Sequence, residues 1–102
     1  MLFRSAAIEF RKAIELEPGN ALALREMGSY LLAKGDFNLA RAFYVRALTA
    51  NQSDRLAMGY LACALTRLNR IEEAQRFLQR AGPGGWSSCA TLPPPLPVPL
   101  PR

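Results

Sequence analysis

The chain has 102 residues, of which 50% are hydrophobic and 21% charged, with no histidine and a formal net charge of +5. Lacking histidine, it has no access to the commonest general base, the usual metal ligand or the standard activator of a nucleophile, so neither an enzyme nor a cofactor is expected. No run approaches the roughly 18 apolar residues of a membrane span, and the opening Met-Leu-Phe-Arg-Ser lacks the apolar core of a signal peptide, so the chain as written reads as cytoplasmic.

Helices are predicted, in chain order, over 2–16, 21–34, 37–50, 55–68 and 71–81. The first carries Phe3, Ala6, Phe10 and Ala13 at helical spacing and ends in Glu17-Pro18-Gly19-Asn20. The second places Leu24, Met27, Gly28 and Leu31 on one face and stops at Gly35-Asp36. The third continues with Phe37, Ala40, Tyr44, Ala47 and Leu48, then meets Asn51-Gln52-Ser53-Asp54, a segment rich in capping residues. Met58, Leu61, Ala62 and Leu65 mark the fourth; Ile71, Ala74, Leu78 and Ala81 mark the fifth, which Gly82-Pro83 ends. Small residues at Gly28, Ala40 and Ala47 let paired helices approach closely, with Tyr44 filling the space beside them. A larger side chain there would overpack the contact, at about 1 to 3 kcal/mol.

These positions recur at one constant interval, the step that leads from Phe3 to Phe37 and from Phe37 to Ile71. Ala6, Ala40 and Ala74 repeat it, as do Phe10, Tyr44 and Leu78, and Ala13, Ala47 and Ala81. Leu24 pairs in the same way with Met58, Met27 with Leu61, Gly28 with Ala62, and Leu31 with Leu65. A fixed period of this size marks an architecture in which each unit buries its face only against its neighbours. The residues resemble the tetratricopeptide repeat (TPR), a helix-turn-helix unit. Leu24, Met27-Gly28, Leu31, Ala40, Tyr44 and Ala47 match one whole unit, residues 21–54. Residues 1–20 read as the second half of a preceding unit. Residues 55–81 read as a degenerate third, with Ala62 for Gly, Asn69 at the turn and Leu78 for the aromatic, and Gln52 stands where a closing Pro would be. The resemblance implies an all-α fold of antiparallel helical hairpins, a short right-handed α-solenoid over 1–81. It does not extend to 82–102.

The family's functional surface is usually the concave groove lined by the first helix of each hairpin. That resemblance assigns Leu22, Arg25, Ser29 and Leu32, and their equivalents one repeat later, Leu56, Gly59, Cys63 and Thr66, to a partner-binding face. Arg25 is the expected anchor, since a guanidinium pairs with a carboxylate. The role implied is a non-catalytic scaffold that binds a peptide or helix of a protein partner, as in family members that assemble bacterial pilus, secretion or envelope complexes. The rival is an accessory segment of a larger enzyme, such as a TPR-bearing glycosyltransferase. With two and a half units, both ends of the stack are expected to expose apolar surface and invite self-association. Two explanations fit the missing half-unit: a fragment or miscalled gene product of a longer repeat protein, whose upstream portion could have carried a signal, or a complete chain that finishes its fold by dimerising.

The remaining chemistry is sparse. Glu9, Glu15, Glu17, Glu72 and Glu73 alternate with basic residues as a solvated face. The charge excess lies in Arg55, Arg67, Arg70, Arg76 and Arg80, without aromatic residues set for stacking, so nucleic acid is not the expected partner. Cys63 reads as a small core residue and Cys89 as an accessible thiol, a bond between them requiring an oxidising compartment. The tail, 82–102, is Gly/Pro-rich and reads as disordered, with Cys89 inside it, and Pro94-Pro95-Leu96-Pro97 offers a short match to WW-domain ligands. Trp86 is placed to fold back over the open end of the third unit.

Overall fold

In the computed structural model, residues 2–87 and 89 are described, with side chains from Ala7 onward. The Pro-rich run from Leu92, with its expected disorder and WW-type match, lies outside the described residues. Five helices are present among them: α1 (Leu2–Leu16), α2 (Ala21–Lys34), α3 (Phe37–Ala50), α4 (Arg55–Arg67) and α5 (Ile71–Ala81). Each packs on the next in sequence, and α2 also touches α4, so the hairpins α2–α3 and α4–α5 stack in register behind α1. No strand occurs among the described residues. The fold is all-α and built of stacked helical hairpins.

Local sequence explains the boundaries. Asn20, Asp36 and Asp54 each accept a hydrogen bond from a backbone N–H of the first helical turn, that of Ala23 at 3.0 Å, Leu39 at 3.3 Å and Ala57 at 3.1 Å, satisfying donors that a helix start leaves unpaired. Gly35 ends α2 in the left-handed conformation, with φ 86°. Asn69, its equivalent in the next unit, adopts the same region at φ 63°, which Asn tolerates better than most residues. The closing bonds repeat as well: Asp36 N–H to Leu31 O at 2.9 Å, and Arg70 N–H to Leu65 O at 2.8 Å. The degenerate third unit therefore makes the same turn with different residues. Asn51 substitutes for the missing proline corner by accepting from Ser53 N–H through its side chain at 3.1 Å.

The core is narrow. Ala40, Tyr44, Ala47, Ala57, Ala62 and Ala64 are all fully buried, and Leu24, Leu61 and Leu65 nearly so. The Tyr44 ring lies directly on Gly28, where a Cβ would stand 2.9 Å from two ring carbons. At the equivalent positions of the next hairpin, Ala62 and Leu78 exchange volume, one methyl more on α4 and a smaller side chain on α5.

Asp54 joins the two hairpins. Besides capping α4, its carboxylate receives Arg25 of α2 through Nη1, at 3.2 and 3.0 Å. Its side chain is 6% exposed, so the contact is largely shielded from water. Asp54→Ala removes both the cap and the ion pair and is expected to destabilise the fold by about 2 to 3 kcal/mol. Asp54→Asn keeps an acceptor for Ala57 and should cost about half as much; urea midpoints at neutral pH measure both.

Candidate partner-binding groove

The face assigned to partner binding lies on α2 and α4, and its eight residues meet different fates. Leu22 is 59% exposed and Leu56 41% exposed, one at the start of each helix. Leu32 is half-buried and, with Phe37 and Arg67, lines a depression of about 400 Å³ bordered by Cys89. These three leucines are the accessible apolar part of the groove.

Arg25 does not stand free as an anchor. Its guanidinium is already divided between Asp54 and Glu26, the latter at 3.3 Å, so it ties α2 to α4 instead of waiting for a ligand carboxylate. Ser29 shares a 2.8 Å hydrogen bond with the Tyr44 hydroxyl, which joins the groove wall to the core aromatic. On α4, Gly59, Cys63 and Thr66 are buried. Thr66 turns its hydroxyl back to Ala62 O at 2.8 Å. Gly59 and Cys63, expected to line the groove, are covered.

The cover is formed by residues 82–87 and Cys89. Gly82, at φ 74°, reverses the chain after α5 and brings Trp86 onto α4 with only 4% of its surface exposed. A Cβ on Gly59 would lie 2.1 Å from the indole, so the ring rests against bare backbone. Arg55 holds the segment by donating from Nε to Ala81 O and from Nη2 to Pro83 O, both at 2.7 Å, and its guanidinium stands 5.5 Å over the indole. Tyr60 meets the ring edge-on, with centroids 5.9 Å apart. A disulfide joins Cys63 to Cys89. Two expectations are corrected: Cys89 is half-buried and bonded, not an accessible thiol, and the stack end over α4 is covered, because residues 82–87 of the tail turn back onto it after Gly82 ends α5. Trp86 occupies the capping position anticipated for it.

A second hollow, which the sequence did not suggest, lies on the face of the second helices. Among the described residues no Cα of α3 lies within 8 Å of one in α5, and Val45, Leu48, Met58, Leu61, Phe77 and Arg80 surround a cavity of about 310 Å³ between them. The signal available for it was the outward side of Val45 and Phe77, which a helical wheel merges with the core stripe.

No described cluster of three or more His, Cys, Asp or Glu residues is arranged to hold a metal ion, and no described helix is long and apolar enough to cross a membrane. Burial pushes the Tyr44 phenol well above its ordinary value, the Ser29 bond opposing that shift in part. An unfolded chain ionises this phenol near pH 10 while the folded chain keeps it protonated, so the stabilisation it confers is lost as pH rises above about 10. Tyr44→Phe should cost about 1 kcal/mol at neutral pH through the lost Ser29 bond. By pH 11 that advantage of the unaltered chain should vanish, since one unit above the unfolded value corresponds to about 1.4 kcal/mol; paired urea titrations at the two pH values test it.

The sequence model of the tetratricopeptide repeat family matches residues 31–84, more than half of the chain, from the last turn of the α2 packing face into the segment that carries Trp86. No curated protein matches the chain.

Proposed function

Because the chain belongs to the tetratricopeptide repeat family, we propose that it acts as a scaffold without chemistry of its own, holding an extended peptide or a helix of a protein partner along α2 and the start of α4. Repeats of this family generally mediate protein–protein interaction. The observation that carries the reading here is the pair Leu22 and Leu56. They occupy the same position in successive units and remain exposed while Leu24, Met27 and Leu31 of α2 and Met58, Leu61 and Leu65 of α4 are buried. A row of apolar side chains at one repeat interval suits a partner that lies across the hairpins.

The side chains around them favour an apolar or mixed segment over an acidic one. Arg25 is neutralised by Asp54 and Glu26, which leaves Arg67 as the cation that borders the depression beside Leu32. Residues 1–81 form the repeat body in this reading, with α1 supporting α2 from behind.

Leu22→Glu and Leu56→Glu test the proposal better than a change at Arg25, whose loss would also loosen the hairpin junction. Both leucines contribute little to the core, so the variants should stay within about 0.5 kcal/mol of the unaltered chain in stability. Partners captured by immobilised unaltered chain should be lost from both variants and kept by Arg11→Glu on α1. Capture unchanged in both variants would contradict the groove as the binding face.

A further inference from the structure

The side chains beneath Trp86 are not those the repeat supplies elsewhere. Arg55, Gly59, Tyr60 and Cys63 correspond, in the preceding unit, to Ala21, Arg25, Glu26 and Ser29. All four positions differ, and each difference serves the indole or the segment that carries it. Gly59 removes the Cβ that would collide with the ring, Tyr60 presents its ring to the indole edge, and Arg55 supplies both a cation over the ring and two donors to main-chain carbonyls. The fourth, Cys63, provides the sulfur that binds Cys89.

The segment that enters this recess is itself shaped for it. A Cβ on Gly84 would lie 2.3 Å from the indole, so a side chain there is excluded. The indole N–H is satisfied within the segment, donating to Gly82 O at 2.9 Å. Gly84 N–H donates to the Ser87 hydroxyl at 3.1 Å, and Ser87 N–H to Gly84 O at 3.0 Å. Residues 82–87 are thus a hook with its own hydrogen bonds, held by α4 through one aromatic ring and the Pro83 carbonyl, while the second Arg55 donor reaches Ala81 O at the end of α5. These are the contacts by which a protein binds a short peptide, and they do not depend on the hook being joined to α5.

We propose that the recess formed by Arg55, Gly59, Tyr60 and Cys63 is a recognition site for a tryptophan carried in a Gly-Gly-Trp hook, that Trp86 fills it in cis, and that the Cys63–Cys89 disulfide keeps it filled. The partner chemistry is therefore a peptide whose tryptophan follows glycine, and it competes with the chain's own hook only after the disulfide opens. A dithiol reductant opens it in two exchanges. Its first thiolate attacks Sγ of half-buried Cys89, the Cys63–Cys89 bond breaks, and Cys63 leaves as a thiolate that takes up a proton. The second thiol then closes the reagent's own disulfide and releases Cys89, two electrons having passed from reagent to protein. This deepens the groove reading and rests on it, since it specifies the partner for the α4 half of that face.

The test uses the full chain and a fluorescein-labelled peptide Gly-Pro-Gly-Gly-Trp-Ser, followed by anisotropy. The oxidised chain should not bind it. The chain carrying Trp86→Ala and Cys89→Ser should bind at least about tenfold more tightly than the oxidised chain, and adding Gly59→Leu, or replacing the peptide's tryptophan by alanine, should abolish that gain. Because Trp86 is the sole tryptophan, its emission gives a second measurement on the unaltered chain. After reduction with dithiothreitol the emission should still report a buried ring, and adding an unlabelled hook peptide whose tryptophan is replaced by non-fluorescent 4-fluorotryptophan should shift it to the red as the hook is displaced. Equal peptide binding by oxidised and reduced chains, binding indifferent to Gly59→Leu, or no displacement in the reduced chain would overturn the proposal. If the peptide fails while Leu22→Glu and Leu56→Glu still abolish partner capture, the recess alone is refuted; if those variants lose nothing, the groove reading fails first.

Discussion

The close approach of α2 and α3 at Gly28 and Tyr44 sets the geometry on which the rest depends. An aromatic ring laid on a backbone without a side chain brings the two helices of a hairpin together, and fully buried alanines at positions 40, 47, 57, 62 and 64 let the next hairpin approach as closely. A stack made this way is thin, so each helix has one face committed to neighbours and another left to solvent or ligand. The first helices α2 and α4 approach each other, whereas no Cα of α3 comes within 8 Å of one in α5.

Charge then fixes how one hairpin sits on the other. Asp54 is at once the first hydrogen-bond acceptor of α4 and the counter-ion of Arg25, so the start of the second hairpin is tied to α2. The same pairing withdraws Arg25 from ligand binding, leaving an apolar strip at Leu22, Leu32 and Leu56. Tyr44 joins this surface to the interior through its hydrogen bond with Ser29.

Much of the fold was legible because it depends on local rules repeated at a fixed interval. The ends of α2 and α4 follow from Gly35 and Asn69, the residues of these turns that take positive φ, and the capping residues Asn20, Asp36 and Asp54 stand where side-chain oxygens are needed. The packing faces of the helices were likewise readable, and Gly59 and Cys63 were expected to line a groove. Their burial was not readable, since it depends on the direction in which Gly82 sends the chain, a dihedral choice that a glycine leaves open. The Arg25–Asp54 pair was hidden for a similar reason. Asp54 announces itself as a cap, but which of its remaining lone pairs meets a cation on another hairpin is decided by how the hairpins stack. A signal was present all the same, in Asp54 replacing the Asn20 of the preceding junction.

Hydrogen exchange of the chain with and without a captured partner probes the central claim most directly, because Leu22 and Leu56 stand at the starts of α2 and α4, whereas Val45 and Phe77 of the second hollow stand on α3 and α5. Binding along the α2 and α4 face predicts slowed exchange through α2 and the first turns of α4, with α3 and α5 unchanged. Protection confined to α3 and α5, around Val45 and Phe77, would contradict it.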